Sequence, residues 1–286
     1  MLVTGVNGQL GGELAPLCRA LGDVVALDRS TLDLADADAI VATVRKFEPH
    51  IIVNAAAYTA VDRAESDRES AFAVNAVAPG VLADEAKKRN ALLVHFSTDY
   101  VFDGRATMPY VEASPTAPLS VYGASKLDGE TRVIASGANA LVFRTSWVYG
   151  RRGSNFLLTI QRLAREREEL RIVDDQIGVP NWSRALARAT TRVLSLGPGE
   201  LATRAGLYHL SCGGHATWFS FAQAFLRDRE TARLIPIATS GYPTPATRPA
   251  YGVLDSTRFR QTFGFGLPDW RVSLDECLAG AGDPVS

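Results

Sequence analysis

Apolar and polar positions alternate in blocks along the first 150 residues, a short β-prone run followed each time by a stretch of helical spacing. Leu2 and Val3 open the chain, a glycine-rich turn follows, and Leu14, Leu17 and Leu21 recur at helical intervals. Val24–Leu27 predicts a second strand, Ala39–Phe47 a helix stopped by Pro49, and Ile51–Asn54 a third strand. A helical stretch from Ser70 to Arg89 leads to the strand Ala91–Thr98. Past Pro109, Pro115 and Pro118 comes a helix holding Tyr122 and Lys126, then the strand Leu141–Arg144. Apolar strands separated by helices predict a parallel sheet with right-handed crossovers, a doubly wound α/β (Rossmann) fold.

After Gly150 the rhythm changes. Helices at Asn155–Arg167, Ser183–Leu196 and Trp218–Arg229, with strands at Leu170–Val173 and Gly206–Leu210, predict a smaller C-terminal lobe. Tyr242–Pro249 holds too many prolines for either element and reads as an ordered loop. Residues 1–150 are expected to form the first domain and 151–286 mainly the second, with segments around 170–200 returning to the main sheet.

The 286 residues, 47% hydrophobic and 21% charged, have the make-up of a globular protein with a sizeable core. A formal charge of −1 argues against a broad nucleic-acid-binding face. No apolar run approaches the roughly 20 residues that span a bilayer, so no membrane partner is expected. Met1–Gly5 shows no charged leader, and Cys18, Cys212 and Cys277 are odd in number and far apart. A cytoplasmic protein without a disulfide framework or a metal cluster is the expectation.

The turn Thr4–Gly12 carries the candidate chemistry of the first domain. Gly5, Gly8 and Gly11 fall at the G-x-x-G-x-x-G spacing. Gly5 permits the sharp turn, Gly8 lets the backbone approach a pyrophosphate, and Gly11 lets helix and strand pack closely. The helix N-terminus would then face the phosphates. Asp28 ends the second strand at about the distance expected of an acid on the adenosine ribose. Arg29 follows and could hold a 2′-phosphate, so the choice between NADH and NADPH stays open at this point. Asp33 and Leu34 could border the adenine, Asp33 serving equally well as a helix cap. Ala57, Tyr58 and Thr59 follow the third strand at the ligand-facing edge. Asn75 reads equally as a buried structural amide or a ligand contact, and His95, inside an apolar run, as a satisfied core histidine.

Tyr122 and Lys126 lie four apart on a helix and so share one face. A phenol has a pKa of about 10, and a nearby ammonium is expected to lower it. With the hydroxyls of Ser97 and Thr98 at a strand end, the pair forms a unit able to steady a carbonyl oxygen and give it a proton.

These motifs resemble the extended short-chain dehydrogenase/reductase superfamily. Within it, Asn54–Asp62, Ser97–Phe102, Arg144–Tyr149 and Asp174-Asp175-Gln176-x-Gly178-x-Pro180 resemble the dTDP-4-dehydrorhamnose reductase family, and Tyr242–Pro249 resembles its substrate-lobe loop. The resemblance spans nearly the whole chain. It implies reduction of the C4 ketone of dTDP-4-dehydro-β-L-rhamnose to dTDP-L-rhamnose by NADPH or NADH. Tyr122 would be the proton donor, Thr98 the carbonyl partner and Lys126 the supporting cation. Cofactor contacts would fall on Gly8, Gln9, Leu10, Asp28, Asp33, Leu34, Ala57, Tyr58, Thr59, Tyr122 and Lys126. Thr98, Asp99, Tyr100 and Trp147 would touch the sugar, the Trp147 indole packing against its ring. Arg248 is a further candidate for the substrate diphosphate, with a structural salt bridge as the alternative.

The chain also departs from the family. Some members dimerise around a magnesium ion held by acidic residues; Glu13 matches one of these, but Arg184 stands where a second carboxylate is expected. A homodimer of this chain is therefore expected to lack a bridging metal. Two other readings share the fold: the non-catalytic regulatory subunit of methionine adenosyltransferase, and a nucleotide-sugar epimerase.

Overall fold

The computed structural model describes residues 1–226 and 232–280. Its strands are β1 (Leu2–Thr4), β2 (Val25–Leu27), β3 (Ile51–Asn54), β4 (Leu92–Thr98), β5 (Ala140–Thr145), β6 (Val148–Tyr149), β7 (Glu169–Val173), β8 (Ile177–Gly178), β9 (Asn181–Trp182), β10 (Gly206–His209), β11 (Ala216–Thr217) and β12 (Arg233–Ile237). In the first half the helices are α1 (Gly11–Cys18), α2 (Ala37–Phe47), α3 (Val61–Ala64), α4 (Arg68–Phe72), α5 (Ala78–Lys88) and α6 (Val121–Ser136). The second half adds α7 (Phe156–Glu166), α8 (Ser183–Leu194), α9 (Pro198–Ala202), α10 (Trp218–Leu226), α11 (Thr257–Phe263) and α12 (Trp270–Ala279).

Six parallel strands form the main sheet in the order β10-β5-β4-β3-β1-β2. The chain leaves β1 for β2 on one side and returns to β3 on the other. That reversal opens a crevice beyond the strand ends, where ligands of doubly wound sheets bind. Side chains of successive residues point to opposite faces, so each strand feeds two cores. Val3, Val53, Val94 and Phe143 pack with Leu14, Leu186 and Phe259 of α1, α8 and α11. Leu2, Ile52, Leu93 and Val142 pack with Ile40, Leu82 and Val133 of α2, α5 and α6. Burial on both faces is why β3 and β4 read as continuous apolar runs. A third core joins Leu157, Leu170, Trp182, Phe221 and Trp270 in the second half.

Local signals set the helix ends. Asp36 caps α2 by accepting from Ala39 N at 2.9 Å, and Ser120 caps α6 by accepting from Gly123 N at 3.2 Å. Gly137 closes α6 in the left-handed region at φ +68°. The helix expected over Ser70–Arg89 is interrupted by a π-helical turn, Ala73–Val77. Pro79 explains it: a proline cannot donate to the carbonyl four residues back and would clash with it, so the turn widens there.

The strand β12 escapes sequence reading because Pro236 sits inside it; among the described residues it pairs only with β7, where a proline is tolerated. Of the helix expected over Trp218–Arg229, α10 accounts for residues up to Leu226, and 227–229 lie outside the described residues. Among the described residues no helix is long and apolar enough to cross a membrane.

Candidate active site

The turn after β1 admits only glycine at its key positions. Gly5 has φ +70°, and a Cβ there would stand 2.8 Å from Ala56 Cα; one on Gly11 would stand 2.2 Å from the Gly5 carbonyl oxygen. Gly8 meets only Gly5 O, at 3.1 Å, so the surface above it is open to a ligand. Gly11 lies behind the turn, packing α1 against β1 and not lining the crevice. Pro16, inside α1, leaves the Gly12 carbonyl without its helical donor, and Arg152 Nη1 donates to it at 3.1 Å. The same helix carries Glu13, which is buried and paired with Arg184 Nε at 2.7 Å and Arg152 Nε at 3.3 Å.

A cleft of about 890 Å³ runs from this turn along the strand ends to the second half of the chain. Gly5, Gly8, Gln9, Leu10, Asp28, Arg29, Asp33 and Leu34 line one end. Ala57, Tyr58 and Thr59 line its middle. The Asp28 carboxylate accepts from Asn7 Nδ2 at 2.9 Å and from Ser30 and Thr31. These bonds, Ser30 first, hold its pKa down to about 2. Asp33 accepts from Ala35 N at 3.0 Å and is a turn residue; the helix cap is Asp36. Asn75 is buried and spent on the fold: its Oδ1 accepts from Tyr58 N at 2.8 Å, and its Nδ2 donates to Tyr58 O and to Ser125 Oγ, both at 3.0 Å. An open glycine cradle with an ionised acid at the next strand end fits the pyrophosphate and ribose of a dinucleotide.

Thr98, Asp99, Tyr100, Tyr122 and Lys126 meet over the C-terminal end of β4, in the same cleft. Two glycines on α6 make this possible. A Cβ at Gly123 would lie 2.3 Å from Tyr100 O, and one at Gly129 would lie 2.1 Å from Asn75 O. The helix therefore docks tightly against both the turn after β4 and the π-helical turn. The Thr98 hydroxyl is near enough to the Tyr122 phenol to lower its pKa, and Thr98 Oγ1 lies 3.1 Å from Asp99 Oδ1. Desolvation pushes Asp99 up to about 7, and its Oδ2 has no hydrogen-bond partner among the described residues.

One expectation is corrected here. Tyr122 is pushed up to about 12, by desolvation first, with Thr98 pulling down and Asp99 pushing up, so burial outweighs any lowering by Lys126. The reason is geometric. Lys126, only 2% exposed, points Nζ into the sheet, donating to Phe96 O at 2.6 Å with His95 Nε2 at 3.3 Å. Burial lowers Lys126 to about 8 against the pull of Glu130.

The far end of the cleft is aromatic. Trp147 lines it with its backbone in the left-handed region, φ +41°. Trp218 stacks on one face of its indole, and a Cβ added to Gly178 would stand 2.4 Å from the indole Cε2. Trp218, which also lines the cleft, went unread in the sequence because it opens α10 far from any motif. Arg248 falls outside the cleft lining and takes its salt-bridge alternative: Nη2 lies 2.8 Å and Nη1 3.0 Å from the Asp62 carboxylate. Among the described residues no cluster of three or more His, Cys, Asp or Glu is placed to hold a metal ion.

A family model described as the RmlD substrate binding domain matches residues 1–282. The chain is 46% identical to a dTDP-4-dehydrorhamnose reductase of Burkholderia thailandensis, with 97% of each chain covered. It is 40% identical to the dTDP-4-dehydrorhamnose reductase of Escherichia coli K12, over 97% of this chain and 96% of that one. A solved dTDP-4-dehydrorhamnose reductase from Bacillus anthracis, in complex with NADP, superposes with a TM-score of 0.91 at 34% identity, 98% of each chain covered.

Proposed function

Since the chain belongs to the RmlD substrate binding domain family, we propose that it is a dTDP-4-dehydrorhamnose reductase, using NADPH or NADH to reduce the C4 ketone of dTDP-4-dehydro-β-L-rhamnose. The observation that carries the reading is that Thr98, Tyr122 and Lys126 line the same cleft that begins at the glycine turn.

A bound nicotinamide cofactor supplies the hydride. Gly8 and the α1 N-terminus receive its pyrophosphate, and Asp28 its adenosine ribose. Arg29, exposed beside Asp28, offers the charge that a 2′-phosphate needs. As negative charge grows on the substrate oxygen, Thr98 donates a hydrogen bond to it and Tyr122 gives its proton. A phenol near 12 holds that proton firmly until the oxygen has become the stronger base. Lys126 stabilises the resulting phenolate at longer range. Asp99 and Tyr100 border the sugar. Any self-association proceeds without a bridging metal, since Glu13 is engaged by Arg184 and Arg152.

The test follows NADPH and NADH absorbance with the dTDP-4-keto-6-deoxy sugar generated in situ. Oxidation by the wild type is expected, and a Tyr122→Phe variant should lose about 10²- to 10⁴-fold in kcat while still binding cofactor. A wild type that oxidises neither cofactor would overturn the reductase reading and leave the regulatory-subunit alternative.

A further inference from the structure

Three side chains from adjacent strands form a polar row across the main sheet. In the parallel ladder Thr4 stands opposite Asn54, and Asn54 opposite His95. They share the face covered by α2, α5 and α6, and their exposures are 2%, 1% and 0%. The row is connected. Thr4 Oγ1 donates to Asn54 Oδ1 at 2.7 Å, Asn54 Nδ2 lies 3.2 Å from His95 Nδ1, and His95 Nε2 lies 3.3 Å from Lys126 Nζ.

The donors along the row give each partner a role. Ala56 N is directed at Thr4 Oγ1, leaving the Thr4 hydroxyl proton for Asn54 Oδ1. The Asn54 amide then turns an N–H to His95 Nδ1, which must accept. A neutral imidazole that accepts at Nδ1 carries its proton on Nε2. That N–H faces Nζ. An ammonium has only hydrogens to offer there, whereas a neutral amine accepts from Nε2–H while donating to Phe96 O. With Asn54 inverted every bond would reverse, and Nε2 would accept from the ammonium.

We propose that Thr4, Asn54 and His95 are positioning residues for Lys126: the tautomer that the row imposes on His95 sets the pH at which Lys126 carries its proton. The row sets an affinity and moves no proton itself. Its catalytic meaning rests on the reading of Lys126 as the supporting cation. Burial acts alongside it, lowering Lys126 and keeping His95 neutral.

The other ionisable groups near Lys126 are few. Glu130, one turn along α6, is in a buried ion pair with Arg144 of β5 at 2.6 Å. Tyr122 lies one turn back, with Asp99 and Tyr100 on the turn after β4. On the remaining helices packed against α6, Asp62 is engaged with Arg248, Asp67 with Tyr58 and Arg63, Arg68 over the Phe72 ring, Glu85 with Arg45 and Lys88, and Lys87 with Ser136 O, while Glu69 and Asp84 are exposed to solvent.

The chain has four histidines and four lysines, Lys126 among Lys46, Lys87 and Lys88, so NMR can read both groups without any turnover. In ¹⁵N-histidine spectra of the wild type, His95 (assigned by its loss in His95→Gln) is expected as the neutral Nε2–H form. Thr4→Val removes the hydroxyl proton that orients Asn54. It is expected to turn His95 to the Nδ1–H form and to raise the ¹³Cε-lysine titration midpoint of Lys126 by about one unit. Asn54→Leu gives a second break in the same row, should Thr4→Val not fold. A wild-type Nδ1–H form, or a Lys126 midpoint unmoved by either variant, overturns the proposal. NADPH oxidation that fails in the wild type counts against the proposed function alone, since the spectra read the row independently.

Discussion

Trp147 and Trp218 lie face to face, ring centroids 3.5 Å apart and planes 7° from parallel. Trp218 is held from behind by Phe156 at 4.5 Å, and its Nε1 donates to Gln176 Oε1 at 3.2 Å. The stack braces an indole whose backbone is in a conformation unfavourable for a side chain of that size. It forms the wall of the cleft farthest from the adenine end.

Removing Trp218 should therefore loosen substrate binding and leave the chemistry intact. Aromatic pairs contribute about 0.5–1.5 kcal/mol, so Trp218→Leu is expected to raise KM for the dTDP sugar roughly 2- to 12-fold with little change in kcat. Steady-state kinetics checks this, and an unchanged KM would show that the stack does not support the bound sugar.

Gly11→Ala should disable cofactor binding through the backbone. The added methyl would stand 2.2 Å from Gly5 O, so the turn must open. About 1–3 kcal/mol of stability should be lost, together with at least about tenfold in NADPH affinity. Urea denaturation and fluorescence titration measure the two effects separately.

Arg29 and Asp28 act in opposite senses on a 2′-phosphate. Asp28 is ionised throughout the working range, its carboxyl held near 2. Arg29→Ala should raise KM for NADPH by about tenfold and leave that for NADH nearly unchanged. Equal effects on both cofactors would place the guanidinium away from the ribose.

The Glu130–Arg144 pair is buried, with side chains 2% and 3% exposed. Glu130→Gln leaves the guanidinium uncompensated and should cost about 3–5 kcal/mol in denaturant unfolding. It also removes the group that raises Lys126. The folded-state pKa of Lys126 then drops below about 8, and the loss of activity on raising the pH should begin earlier, opposite to the shift expected for Thr4→Val. A pH–rate profile decides the sign.

The parts legible in sequence were those whose signal is local. The glycine spacing, the Asp28 strand end and the Tyr122–Lys126 turn need only neighbouring residues. Their placement in one cleft follows from the alternation of strands and helices. What stayed hidden depends on distant partners. The direction of Lys126 Nζ is set by Phe96 and His95 from another strand. Arg248 is claimed by Asp62 from the other half of the chain. Trp218 follows β11, which pairs with β8, and β8 carries Gly178 against Trp147. No periodicity reports such pairings.

The edge strand β10 and the covering helix α11 have a consequence for synthesis. Translation proceeds at about 5–20 residues per second, so β10 leaves the ribosome roughly 3–12 s after the strand it pairs with, β5. Throughout that interval the nascent chain shows an open strand edge, and part of the apolar sheet face stays open until α11 follows. Codons that slow translation between β5 and β10 would lengthen the time that edge spends exposed.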